Sequence, residues 1–139
     1  MKYSYTSTLA IDTQGRYARR PMVEVELIGK KWINGLALID SGADCNMINI
    51  EYAEPLGILP QDGKEKEYTG IEGKQMKCFI ANVLMTVKHF DLPISIPFAF
   101  IDSPAVDILL GQEGFFDKFR IKFEKDHNVF EITYPPKKK

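Results

Sequence analysis

Apolar and polar positions alternate through residues 21–29: Val23, Val25 and Leu27 share one parity and Glu24 and Glu26 the other, which predicts a half-buried strand. Gly29, Lys30 and Lys31 supply a turn. Residues 32–39 read as a second strand whose end, Leu36-Ala37-Leu38-Ile39, is apolar on both faces and so runs into the interior. It delivers Asp40 from a buried run into Ser41-Gly42-Ala43, small residues that imply a tight loop. Residues 45–52 resume as an extended or briefly helical segment, and residues 55–66, with Gly57, Pro60 and Gly63, read as surface loop.

Residues 67–73 and 74–88 form the arms of a long hairpin, with Gly70 and Gly73 bracketing Ile71 and Glu72. Ile94, Ile96, Phe98 and Phe100 fall on one parity of a further strand, and Asp102-Ser103-Pro104 turns the chain into a short apolar strand, 106–110, that ends at Gly111. Residues 112–118 are the best helical candidate, with Phe115 and Phe116 facing inward, and residues 119–123 and 129–134 pair as a terminal hairpin. The sum is a mostly β domain with one short helix and no internal repeat.

Composition narrows the function classes. A chain of 139 residues, 45% hydrophobic and 27% charged, fits one globular domain. A net charge of −1 supplies no field for gathering nucleic acid, and Lys137, Lys138 and Lys139 read as a solvated tail after Pro135 and Pro136. We divide the chain into an N-terminal extension (1–20), the domain proper (21–134) and a basic tail (135–139). Cys45 and Cys78 have no His or Cys at metal-ligand spacing, so they read as reduced thiols, with neither a zinc site nor a disulfide framework. No export signal or apolar span is visible, which places the chain in the cytoplasm, away from membranes. His89 and His127 lie in polar turns and read as exposed.

The residue that carries chemistry is Asp40, an acid at the end of an apolar strand. An acid so placed needs a partner or a hydrogen-bonding role. Asp-Ser-Gly alone admits two: the carboxylate caps its own turn, or it is functional. The wider pattern resembles the retropepsin family of aspartic peptidases, which includes the retroviral proteases and their cellular and bacterial relatives. Residues 21–29 look like that family's first core strand, Ala37-Leu38-Ile39-Asp40-Ser41-Gly42-Ala43-Asp44 like its signature, Gly70-Ile71-Glu72-Gly73 like its flap tip, and Ile108-Leu109-Leu110-Gly111 like its second hallmark.

The resemblance implies an all-β fold, a closed acid-protease β-barrel half with a flap hairpin and one short C-terminal helix. It implies an endopeptidase with Asp40 as the catalytic acid, a polypeptide substrate and no metal or cofactor. Ser41, Gly42, Ala43 and Asp44 would contact substrate or steady the loop, Gly70, Ile71, Glu72 and Gly73 would close over it, and Leu109 and Leu110 would pack beneath and line its pockets. Hydrolysis by carboxylates needs one acid ionised and one protonated. This chain offers one Asp-Ser-Gly, so the second Asp40 should come from another copy in a homodimer.

Two positions depart from the retroviral pattern. Glu72 stands at the flap tip in place of a glycine, and Gln112 stands after Gly111 in place of an arginine that pairs with the acid corresponding to Asp44. Both ends are longer than in a minimal member, so the viral terminal sheet does not transfer; residues 119–134 are expected to add weakly to the subunit contact. These departures keep a second reading open, a retropepsin-fold peptide-binding or assembly module with little turnover. A third, a monomeric barrel of unrelated role, makes Asp40 a turn acid.

Overall fold

The computed structural model describes residues 1–69 and 75–136. Its strands in chain order are β1 (Lys2–Ser4), β2 (Thr6–Ile11), β3 (Tyr17–Arg20), β4 (Met22–Ile28), β5 (Trp32–Ile39), β6 (Asn46–Asn49), β7 (Lys64–Thr69), β8 (Gln75–Val87), β9 (Ile94–Ile101), β10 (Ile108–Leu110), β11 (Arg120–Glu124) and β12 (Val129–Thr133). One short α-helix, α1 (Ala53–Leu56), follows β6.

Alternation in sequence becomes burial in the sheet. Along β4, Val23, Val25 and Leu27 enter the core while Glu24 faces solvent. The sheet runs β4-β5-β10-β6-β9-β8-β7, and a further pairing of β4 with β8 closes it into a barrel, leaving β7 outside as the partner of β8. Closure removes the open edges of the strands that form it. The interior is filled by Leu27, Ile48, Met85, Ile96, Phe98, Phe100, Leu110 and Phe115, all fully buried. Each contributes about 1.5–3 kcal/mol against exposure. Phe79 stacks on Phe100 at 4.7 Å between ring centres, tying β8 to β9.

Outside the barrel, β1, β12 and β11 make a three-stranded antiparallel sheet. β2 and β3 pair only with each other among the described residues. The segment read as an N-terminal extension thus forms three strands.

Two local expectations are corrected. Residues 112–118 do not form a regular helix: the turn Gln112–Phe116 is interrupted at Glu113 and Gly114, and Gly114 has φ of 88°. The physical reason is the backbone at Gly114, whose positive φ a right-handed helix cannot continue through, and the tight space there, with Ile96 Cβ 3.1 Å and Asn46 Nδ2 3.2 Å from where a Cβ would stand, favours glycine. Phe115 is buried as expected, and Phe116 is half-buried. The segment 55–66 is also more ordered than a plain loop, since α1 takes its first two residues, Pro60–Asp62 forms a 3-10 turn and β7 begins at Lys64. Gly57 ends α1 at φ 74°, a left-handed cap suited to glycine.

Candidate active site

The strand order dictates where the Asp40 loop goes. β10 lies between β5 and β6, parallel to the first and antiparallel to the second. The chain leaving the end of β5 must therefore arch over the end of β10 to reach β6. That arch is residues 40–45.

The arch sits directly on Gly111. A Cβ there would lie 2.6 Å from the carbonyl oxygens of both Ala43 and Cys45, so only glycine fits beneath the loop. Backbone bonds then fasten loop to floor: Asp40 N donates to Leu110 O (2.9 Å), Gln112 N to Ala43 O (2.9 Å) and Glu113 N to Asp44 O (3.0 Å). The Gln112 side chain adds a further tie, Nε2 donating to Ser41 O at 2.7 Å. Gln112, noted in the sequence as a departure from the retroviral pattern, thus holds the crest of the loop with a neutral amide.

Under the arch lies Asn46, the one buried polar side chain among the described residues. Its Oδ1 accepts from Gly111 N at 2.8 Å, and its Nδ2 donates to Pro97 O and Glu113 O, both at 2.9 Å. Both amide hydrogens and the carbonyl are engaged, so the group is satisfied in the interior and fixes β6, β9 and the turn after β10 relative to one another. Sequence reasoning missed Asn46. The available signal was its parity, since it shares the buried face of β6 with Ile48.

Asp40 itself is not interior. It is half-buried, at the rim where the apolar strand surfaces, because the loop turns the chain outward immediately after Ile39. Its Oδ1 accepts from Gly42 N at 2.9 Å, and Ala43 N donates to the Asp40 carbonyl at 3.2 Å. Among the described residues no donor reaches Oδ2. The carboxylate is thus aimed by its own turn while one oxygen stays available. A side chain at Gly42 would bring its Cβ to 3.3 Å from Oδ1, crowding the acid.

The other predicted positions divide. Ser41, Gly42 and Asp44 are exposed on the crest, and Ala43 is half-buried. Leu109 is half-buried, whereas Leu110 is fully buried. Leu110 therefore supports the loop from beneath through its carbonyl and core packing, and its side chain does not line a pocket. Gly70, Ile71, Glu72 and Gly73 lie outside the described residues; the hairpin arms β7 and β8 pair in register up to Thr69 and Gln75. Two prominent surface depressions lie elsewhere, one beside Tyr52 and Asp107 and one beside Glu24, Gly35 and Lys88. His89 and His127 are exposed and away from the loop.

A closed barrel with a central strand inserted beneath an Asp-Ser-Gly arch is the retropepsin-like form of the acid-protease fold. Residues 23–113 match the family model described as aspartyl protease, and the chain belongs to that family. In structure it is similar to a retropepsin-like aspartic protease from Rickettsia conorii, with a TM-score of 0.59 over 96% of this chain and 98% of that one. At 15% identity that likeness speaks for the fold. No curated protein matches the sequence.

Proposed function

We propose that the chain is an aspartic endopeptidase whose active site is shared by two copies, each supplying one Asp40. The observation that carries this reading is the state of the carboxylate: half-buried at the rim, one oxygen fixed by Gly42 N–H, the other without a donor in its own loop. One oxygen serves the turn, and the other is left for a water and a proton shared with a twin.

Two carboxylates a few ångström apart do not both ionise, so the pair holds one proton between them. The ionised member takes a proton from the water that attacks the scissile carbonyl, and the protonated member polarises that carbonyl and then supplies the leaving amine. Symmetry makes the two roles interchangeable. Ser41 on the crest steadies the pair across the two-fold axis, Gly42 admits the substrate backbone, Asp44 binds its main chain, and Leu109 flanks a side chain. Residues 70–73 close over the peptide and exclude water. No cofactor is required.

The test is cleavage of a peptide library from acidic to neutral pH by the wild type and by Asp40→Asn. Cleavage by the wild type alone, with a bell-shaped or acid-shifted rate profile, supports the reading. Binding of peptides with no cleavage at any pH overturns it in favour of a peptide-binding module.

A further inference from the structure

We propose that the β2–β3 hairpin is a dimerisation arm, laid across a second copy of this chain. The inference rests on the shared-site reading above and names the element that makes the sharing stable.

The arm is a built structure. Its turn is closed by Asp12, whose Oδ1 accepts from Gln14 N at 2.8 Å and Arg16 N at 2.9 Å, while Gly15 N donates to the Asp12 carbonyl at 3.1 Å. Arg16 Nε adds an ion pair to Asp12 at 3.3 Å. Yet one face of the ribbon is bare, while Thr6, Thr8, Ala10 and Ala18 on the other are half-buried. Leu9 is 91% exposed, Tyr17 62% and Ile11 58%. Ile11 and Tyr17 are register partners and so share a face. An isolated two-stranded ribbon is marginal in water, and large apolar side chains on one call for cover.

Position selects the occupant. β3 ends at Arg20, and the next residue, Pro21, accepts from Ile39 N at 2.9 Å. Ile39 immediately precedes Asp40. The arm therefore springs from the barrel beside the catalytic arch, on the side where a second copy must approach if two Asp40 carboxylates are to meet. A strand of six residues at about 3.3 Å each spans about 20 Å, enough to cross onto the neighbouring barrel.

The centre of the terminal sheet is already occupied. β12 pairs with β1 on one edge and β11 on the other, and the Met1 ammonium donates to Ile132 O at 3.0 Å while Ile132 N donates to Met1 O at 2.9 Å. β12 therefore has no free edge for a partner, and among the described residues only the outer edges of β1 and β11 stay open in this sheet. The arm is the element that leaves the barrel next to Ile39.

Two variants and one cross-link test this. The double variant Leu9→Asp, Tyr17→Asp alters only exposed side chains, so the fold should persist. We expect sedimentation equilibrium to show a dimer at least about tenfold weaker, and peptidase activity that is lost at low enzyme concentration and recovered at high. A benzophenone amino acid at position 17, in dimers mixed from isotopically light and heavy chains, should give light–heavy cross-links. An unchanged dimer constant in the double variant, or cross-links confined to one chain, overturns the arm while leaving a shared site standing. A wild type that stays monomeric at every concentration yet cleaves peptide overturns both.

Discussion

Three residues beneath the arch carry more of the site than the acid does. Gly111 tolerates no Cβ against the Ala43 and Cys45 carbonyls, so Gly111→Ala should displace the loop and abolish activity, with a lowered melting temperature as the check. Asn46→Ala leaves the buried Gly111 N–H, and the part-buried Pro97 and Glu113 carbonyls, without this side chain as partner; urea unfolding should show a loss of about 3 kcal/mol. Gln112 differs, being exposed with its tie to Ser41 O at the surface. Gln112→Ala should leave the melting temperature nearly unchanged, yet lower kcat about ten- to hundredfold through loosening of the crest. An equal loss of stability and activity would make Gln112 merely structural. Asp40 stood out in the sequence as a candidate because an acid ends an apolar strand, but its half-exposed position was not legible. Where a strand surfaces depends on β10 slipping in from 68 residues downstream, a span no local window contains.

At the scale of elements, a tie outside the site sets an alkaline limit on the fold. Tyr52, in the 3-10 turn after β6, donates to Asp107 Oδ1 at 2.6 Å just before β10. Burial first, then the hydrogen bond and charge of Asp107, push the Tyr52 hydroxyl from 10.0 up to about 12. Burial alone pushes Tyr3 up to about 12 as well. The unfolded chain gives up these protons near pH 10.0 and the folded chain only near 12, so between the two the unfolded state binds fewer protons and stability falls as pH rises. Tyr52→Phe should flatten that fall, read as the pH dependence of the urea midpoint. β4, with its clean alternation, β9, whose Ile94, Ile96, Phe98 and Phe100 keep one parity, and the β11–β12 hairpin were legible because period and turn chemistry agree. β1, β2 and β3 were not, since β1 depends on β12 at the far end of the chain and β2–β3 is a ribbon without a core face. The broken turn at Gly114 escaped too, because apolar Phe115 and Phe116 mimic a helical face while the positive φ of Gly114 interrupts the helix.

For the whole molecule, one chain supplies a complete barrel and, on the proposed reading, half of the chemistry. The barrel closes on itself and β12 is paired on both edges, while the base of the β2–β3 arm is bonded to Ile39, next to Asp40. The proposed shared site makes activity a property of the dimer, so on that reading it should depend on enzyme concentration and on the identity of both partners. The most direct measurement is to titrate wild type with a growing excess of Asp40→Asn, allow the subunits to exchange, and follow peptide cleavage at fixed wild-type concentration. If two Asp40 side chains form one site, mixed dimers hold a single competent acid and the rate falls toward zero as the variant takes up the wild-type chains. A rate that stays constant across the titration would mean that each chain works alone, and the shared site would be wrong.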